Sequence, residues 1–295
     1  MRVTSEMMVT QSLQRLSSRL ERYEQAQSSV ATGKRIRVPS DDPAGASRAL
    51  TLRFNQRARE QESRTADDAL GWLGVADSHL QSAVERLQRA RDLSVRAAST
   101  LSASERDAIG AELESIQSEL VGLANASYRG RPLFAGFADG PAVQGAAGAW
   151  SYAGDDGRIT RRVGEQDVVP INVSAAEVFG LTATDGGVFA RLDEAAAGIR
   201  AGAPTAATDA IAAMDEALQQ VSASQARIGA NTNRVESAQR RSQDVLQTIR
   251  VELAEVEDVD LAEAIMDLQT QQVAYEATLQ ALSKALPPSL VSFLR

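Results

Sequence analysis

The chain has 295 residues, of which 43% are hydrophobic and only 4% aromatic, and its formal net charge is −8. It has no cysteine and a single histidine, His79, so a thiol nucleophile is absent and His79 has no companion ligands for a zinc site. The composition therefore argues against an enzyme, a bound cofactor or a metal centre, and we interpret His79 as a solvated helix position.

The two ends of the chain carry charges of opposite sign. Residues 1–64 contain twelve Lys and Arg against seven Asp and Glu, whereas residues 244–280 contain one Arg against nine acidic residues. A basic end could suggest nucleic-acid binding, but here an acidic partner lies in the same chain and aromatic residues are scarce. We expect the two ends to pair with each other, with charge complementarity steering the register.

The first helix is predicted from apolar residues that recur in alternating steps of three and four. The residues that we assign to this seam are Leu13, Leu16, Leu20 and Tyr23. Gly33, followed by Lys34 and Arg35, predicts the helix end, because glycine readily adopts the left-handed conformation.

The next helix is predicted to begin at a capping turn. Asp42 is placed to cap the helix, and Pro43 is suited to its first turn. Asp41 and Asp42 could instead form a metal or acid/base pair, but capping explains adjacent carboxylates more simply. Helices are then predicted over about 44–98 and from about residue 105, with a loosened or solvent-facing stretch over 56–68.

The sequence changes character between residues 137 and 187, where Gly, Asp and Val are frequent. Trp150 and Tyr152 precede the dipeptide Asp156-Gly157, and Ile159 and Val163 follow it, which predicts a hairpin with its turn at that dipeptide. Pro170 predicts an edge strand. Two sharper interpretations are a calcium loop at Asp155 and Asp156, although the alternating ligands of an EF-hand are missing, and a carboxylate-based hydrolase that also uses Asp185.

The C-terminal part, from Ile211 to Leu286, is predicted to be helical with two heptad seams. The first runs from Ile211 to Val256, and a break around 258–260 shifts the register. The second seam contains Leu261, Ile265, Leu268, Gln272, Tyr275, Leu279, Leu282 and Leu286. Seams this narrow need a partner stripe, and the N-terminal helix is the natural candidate.

These patterns predict a mainly α protein in which the N- and C-terminal segments form an elongated coiled-coil rod with a small β-rich central insert. We assign residues 1–42 and 258–295 to terminal assembly segments, 43–136 and 188–257 to a helical rod domain, and 137–187 to an outer insert. An ordinary antiparallel bundle and a cytoplasmic coiled-coil scaffold remain open alternatives.

Several short motifs, taken in order, resemble the flagellin superfamily over about the first 140 and last 90 residues. They are Thr32-Gly33-Lys34-Arg35-Ile36, Pro39-Ser40-Asp41-Asp42-Pro43, Asn125-Ala126 to Leu133-Phe134-Ala135-Gly136, and Ala264-Ile265 to Ala274-Tyr275. Within the superfamily, the chain resembles the hook-filament junction proteins in its Met1-Arg2 start, Met7-Met8, Tyr152-Ala153-Gly154-Asp155-Asp156-Gly157, and the tail from Pro288 to Leu294. Filament flagellin is the alternative, because both helical ends are similar there.

The resemblance implies an extracellular structural subunit of the bacterial flagellum whose termini pair as coiled helices and fold on assembly. Implied partners are hook-associated protein 1, flagellin, further copies of the chain in a ring, and a cytoplasmic export chaperone. It also implies export through the flagellar type III channel, consistent with an N-terminus that lacks the pattern of a cleaved secretory signal. The implied assembly residues are those of the two terminal seams, with Gly33, Asp41, Asp42 and Pro43 forming a structural turn.

Overall fold

A computed structural model describes residues 5–146, 148–182 and 185–285. Within these residues the chain is mainly α-helical, as predicted, and forms seven helices. They are α1 (Ser5–Thr32), α2 (Pro43–Ala97), α3 (Ala103–Ala124), α4 (Ala175–Phe179), α5 (Gly187–Ala201), α6 (Ala206–Glu257) and α7 (Leu261–Ala285). The predicted helix ends at Gly33 and at 258–260 are confirmed. The seam residue Leu286 and the tail motif beyond it lie outside the described residues, as do Met1 to Thr4.

Six short strands form three separate antiparallel pairs in the described part of the chain. They are β1 (Ser127–Tyr128) with β2 (Arg131–Pro132), β3 (Val143–Gln144) with β4 (Ser151–Tyr152), and β5 (Thr160–Arg162) with β6 (Val168–Pro170). Pro170 lies at the end of a two-stranded ribbon, opposite Thr160, as an edge strand requires.

The predicted hairpin with its turn at Asp156-Gly157 is wrong. Tyr152 pairs with Val143, which precedes it, and not with the strand that follows. The reason lies in the carboxylate of Asp155, whose Oδ1 accepts hydrogen bonds from the backbone N–H of Gly157 at 2.8 Å and of Phe137 at 2.7 Å. This folds the segment back onto residue 137 in place of a two-residue turn.

The chain divides into two compact units. The terminal unit comprises residues 1–57 and 246–295, and the central unit comprises residues 58–245, so that α2 and α6 each contribute to both. This division is coarser than the three-part division expected from the sequence, which stays a prediction.

The central unit contains a continuous core of apolar side chains from α2, α3, α5 and α6, extended by the β segment. Phe189 of α5 is fully buried, with ring centroids 5.3 Å from Phe179 and 5.7 Å from Trp150. The stretch 56–68 is continuous helix, and most of its residues are half-buried, so the predicted loosening of its backbone does not occur. Ser102 caps α3 through a capping box with Glu105.

The buried positions of α6 match one half of its predicted seam. Met214, Val221, Ile228 and Val235 are buried as expected. Ser242, Leu246 and Ile249 are also buried as predicted. Between residues 211 and 239, by contrast, the alternate predicted positions are half-buried, and the buried residue is the preceding one. These preceding residues are mostly small, namely Ala210, Ala217, Ser224, Asn231 and Ala238. Small side chains let the neighbouring helices lie close along this stripe.

Candidate assembly site

Helices α1 and α7 of the terminal unit pair side by side in antiparallel directions. The end of α1 meets the start of α7, where the Val259 N–H donates to the Gly33 carbonyl at 3.0 Å. Further along the pair, the rings of Tyr23 and Tyr275 are stacked, with centroids 6.0 Å apart and planes 10° from parallel. The predicted pairing of the N-terminal helix with the C-terminal seam is therefore present.

The inner face of this helix pair alternates large residues with small or polar ones. Five of the predicted seam residues are half-buried there, namely Leu16, Tyr23, Leu268, Tyr275 and Leu282. Between them lie Ser12, Arg19, Ala26, Ala264, Gln271 and Thr278. As in α6, the alternate inner position is one residue before the one that we predicted.

Five further apolar residues of the predicted seams are exposed in the single chain, as is Gln272. Leu13, Leu20, Leu261, Ile265 and Leu279 are each between 37% and 54% exposed. Residues one position after the inner face of two antiparallel helices lie on the same side of the pair. These five residues therefore form one stripe, which we call the apolar edge. Their role as assembly residues stays a prediction.

A joint of hydrogen bonds connects the end of α1 to the break between α6 and α7. Arg35 donates its backbone N–H to the Glu257 carbonyl at 2.6 Å and its guanidinium to the Val256 carbonyl at 2.9 Å. Gly33 adopts φ +67°, the left-handed conformation expected for a helix end. The structural role of Gly33 therefore has a geometric basis.

Glu257 is the centre of this joint and was missed by the sequence analysis. Its side chain is 3% exposed and its Oε2 accepts from Lys34 Nζ at 2.6 Å and from the Arg53 guanidinium at 2.8 Å. Burial alone would raise the pKa of Glu257, but the hydrogen bonds from Lys34 and Arg53 outweigh it and hold the pKa below its ordinary value. No sequence signal separates Glu257 from its acidic neighbours, since its partners lie more than 200 residues away.

The Asp41-Asp42-Pro43 turn acts as the predicted cap. Asp42 Oδ1 accepts the Gly45 N–H at 2.9 Å, and Pro43 is the first residue of α2. Asp41 Oδ2 accepts the N–H groups of Arg37 and Val38, each at 3.1 Å. These backbone hydrogen bonds lower the pKa of both carboxyl groups, with a further contribution to Asp42 from Arg35. The two carboxylates thus face different backbone donors and do not form an acid/base pair.

The turn also explains a glycine that the sequence analysis did not single out. A Cβ at Gly45 would come within 2.5 Å of both Asp42 Oδ2 and the Cδ1 of the buried Ile36. Only glycine therefore allows the capping carboxylate and Ile36 to approach the start of α2.

The carboxylates considered for a calcium loop or a hydrolase have local roles. Asp155 orders its own turn, as described above, and Asp185 accepts the Gly187 N–H at 3.0 Å beside Arg191. Asp156 borders an open cavity of about 340 Å³ together with Arg158, Glu177 and Arg227. Among residues 5–146, 148–182 and 185–285, no group of three His, Asp or Glu side chains is arranged to hold a metal ion. His79 is half-buried on α2.

Both helical ends of the chain match the flagellin family. Residues 3–139 match the bacterial flagellin N-terminal helical region, and residues 211–294 match the bacterial flagellin C-terminal helical region. The chain belongs to the bacterial flagellin family. It is accordingly a structural component of the flagellum, which lies outside the cell. None of the helices in the described residues is long and apolar enough to cross a membrane.

Relatives within the family include both junction and filament proteins. The chain is 25% identical over 320 residues to flagellar hook-associated protein 3 of Salmonella typhimurium, covering 100% of both chains. It is also 25% identical to the flagellar filament 30.7 kDa core protein of Treponema maltophilum, covering 87% of this chain and 86% of that one. A solved structure described as a flagellar hook-associated protein, from Vibrio parahaemolyticus, has the same fold, with a TM-score of 0.69, 21% identity and coverage of 74% and 100%.

Proposed function

We propose that this chain is the subunit that joins the flagellar hook to the filament, and that its terminal helices complete their folding on assembly. The observation that carries the proposal is the apolar edge, because five large aliphatic side chains on one side of the α1–α7 pair remain exposed in the single chain. End-to-end similarity to hook-associated protein 3 supports the junction role.

The energetics favour assembly-coupled folding. Full burial of a Leu or Ile side chain contributes about 1.5 to 3 kcal/mol relative to exposure. The five residues of the apolar edge gain this contribution only when a neighbouring molecule covers them. A subunit whose terminal unit is completed by its neighbours remains suited to passage through a narrow export channel until it reaches the growing tip.

The finer assignments follow from the same proposal. Residues 1–42 and 258–295 act as assembly segments, 43–136 and 188–257 as the helical rod domain, and 137–187 as an outward-facing insert. The partners are hook-associated protein 1 on the hook side, flagellin on the filament side, further copies of the chain within the junction, and an export chaperone that covers the C-terminal seam in the cytoplasm.

A second candidate function is that of a filament flagellin. It is favoured by the similarity to the Treponema filament core protein, which equals the similarity to hook-associated protein 3 in percentage identity. The two functions share the same terminal helix pair, so the geometry of α1 and α7 fits either.

Deletion of the gene separates these functions. We expect cells with hooks but no filaments, seen by electron microscopy, together with flagellin monomers in the medium. Intact filaments built from another flagellin would refute the junction role, whereas loss of filaments without shed flagellin would identify the filament subunit.

A further inference from the structure

The open cavity beside Asp156 lies wholly within the central unit, away from the sequence segments that form the α1–α7 pair. Its polar walls include Asp156 and Arg158 from the segment between β4 and β5, Ser174 before α4, and Asn231 of α6. Its volume of about 340 Å³ falls within the range of about 300 to 1,000 Å³ that is usual for small-molecule sites.

Asn231 is the most buried polar residue of this lining. It is 8% exposed, and its carboxamide forms no hydrogen bond with any residue that the structure describes. Buried carboxamides are normally hydrogen-bonded, because an unpaired one is destabilising. The equivalent positions one heptad away on the same stripe of α6 include Ala238, which packs without this cost. The position of Asn231 therefore points to a group in the cavity that pairs with its carboxamide.

The other walls of the cavity provide further donors and acceptors. Asp156 and Arg158 are exposed, and neither forms an ion pair with a described residue. Ser174 Oγ accepts the Glu177 N–H at 3.2 Å, so its own hydroxyl proton remains to be donated. Glu177 in turn accepts from the Arg227 guanidinium at 2.7 Å. The cavity thus offers a carboxylate acceptor, a guanidinium donor, a hydroxyl donor and an amide that does both.

Asn172 fixes the wall that carries Asp156 and Arg158. Its Oδ1 accepts the Ile159 N–H at 2.8 Å, and its Nδ2 donates to the Gly157 carbonyl at 2.8 Å. These two hydrogen bonds join the backbone of this wall to the chain that follows β6. Because the backbone is held before any ligand enters, binding loses little backbone entropy here.

The charges of the lining narrow the chemical class of the ligand. Two carboxylates and two guanidinium groups line the cavity, so they sum to no net charge. An anion would meet both carboxylates and a cation both guanidinium groups, which disfavours either. A hydroxyl group both donates and accepts, and a ring with adjacent hydroxyls uses such a mixed lining fully. The apolar side chains of Pro170 and Val173 provide a surface for the C–H face of such a ring.

We propose that this cavity binds a neutral sugar. The Asn231 carboxamide donates to one sugar hydroxyl and accepts from another, and Asp156 and Arg158 pair with the hydroxyls nearer the opening. The chain belongs to a structure outside the cell, where it meets both free monosaccharides and the ends of glycans. The binding site is independent of the junction role, because it lies outside the terminal unit.

Proton–nitrogen NMR of the full-length chain tests this site directly. The probes are glucose, galactose and mannose, each as the free sugar and as its methyl glycoside, at millimolar concentrations. At least one of them should shift the side-chain NH₂ resonances of Asn231 in a saturable manner; these resonances are assigned by their loss in Asn231→Asp. A methyl glycoside that binds as well as the free sugar identifies a glycan end as the source, whereas binding of the free form alone identifies a monosaccharide.

Two results of this titration would overturn the inference. One is the absence of a saturable shift with all of the sugars. The other is a saturable shift with inorganic phosphate or glycine alone, because the cavity would then bind an anion or a zwitterion.

A substitution at Asn231 tests its role in binding. Asn231→Ala should weaken the affinity for the best-binding sugar by about threefold to tenfold, measured from the backbone amide shift of Arg158. The rest of its spectrum should stay unchanged, because no hydrogen bond within the described chain is lost. Asn233→Ala, at an exposed position of the same helix, is the matched control and should bind as the native chain does. Equal affinities of Asn231→Ala and the native chain would contradict the site, and the gene deletion described above would still decide the junction role.

Discussion

The central and terminal units differ in how they bury their apolar side chains. The largest fully buried side chains among the described residues, including Phe134, Phe179 and Leu80, all belong to the central unit. In the terminal unit the buried apolar residues are few, and those of the α1–α7 pair, Ala26 and Ala264, are small, while much larger residues of the same pair remain exposed. The central unit thus holds its own core, and the terminal unit depends on surfaces that a neighbour must supply.

The largest expected effect comes from the core of the central unit. Phe189→Ala should lower the free energy of unfolding by about 3 to 5 kcal/mol, because the cavity left between Phe179 and Trp150 cannot fully collapse. Phe54→Ala serves as the control, since Phe54 is 73% exposed and should change stability by less than about 0.5 kcal/mol. Urea denaturation of both variants measures the difference, and similar losses would contradict an independent central core.

The next effect concerns the joint of the terminal unit. Glu257→Gln should destabilise the joint by about 1.5 to 3 kcal/mol, because it removes charged hydrogen bonds to Lys34 and Arg53. Hydrogen exchange of the Arg35 and Val259 amides, which bridge the joint, should become faster. Glu255→Gln is the matched control on the exposed side of the same helix end. Equal acceleration of amide exchange in both variants would show that Glu257 has no special role.

The joint should also loosen in acid. Because the pKa of Glu257 in the folded chain is lowered from 4.5, its stabilisation is present above about that pH and is lost as the pH falls through the folded value. Asp42 acts in the same direction, since its pKa is lowered as well. The Val259 amide should therefore lose protection as the pH falls below about 4.5, beyond the intrinsic dependence of exchange on pH. In Glu257→Gln this extra loss should shrink, and an unchanged profile would contradict the assignment.

A smaller effect is expected at the end of α1. Gly33→Ala should cost about 1 to 2 kcal/mol, because φ is +67° and nothing lies within 4 Å of the added Cβ, so only the backbone conformation is penalised. Gly33→Val should be worse and should reduce motility. Gly122→Ala, which also meets no atom but lies inside α3, should be neutral or stabilising. Thermal unfolding compares the three variants. An unchanged melting temperature for Gly33→Ala would refute the backbone strain at this position.

Periodicity and capping chemistry predicted the elements of the helical ends well. The steps of three and four found α1, α6 and α7, because this signal depends on neighbours along the chain. For the same reason Gly33 marked the end of α1, and Asp42 marked the start of α2. The terminal seam was predicted only in part. Some of its large apolar residues lie on the inner face of the α1–α7 pair, and the others form the apolar edge. The inner face also contains Ser12, Ala26 and Ala264, which carry no strong hydrophobic signal in the sequence.

The remaining features depend on contacts between distant parts of the chain. The dipeptide Asp156-Gly157 has the composition of a hairpin turn, but the contact between Asp155 and Phe137 decides the path of the backbone. Glu257 is one of nine acidic residues in its region, and only its burial between Lys34 and Arg53 distinguishes it. The roles of Asp155 and Glu257 depend on partners that are distant in sequence, and a local sequence pattern does not identify those partners.

The smallest effect on the free chain should accompany a complete loss of function. Leu279→Asp changes an exposed residue, so it should alter the stability of the free chain by less than about 0.5 kcal/mol and yet prevent incorporation into flagella. Leu282→Asp should differ, because Leu282 is half-buried against α1 and its replacement should already weaken the α1–α7 pair in the free chain. Hydrogen exchange of the purified chains and immunoblots of detached flagella measure the two properties. Normal incorporation of Leu279→Asp would show that the apolar edge is not covered on assembly, and the dependence of the terminal unit on its neighbours would then have to rest on another surface.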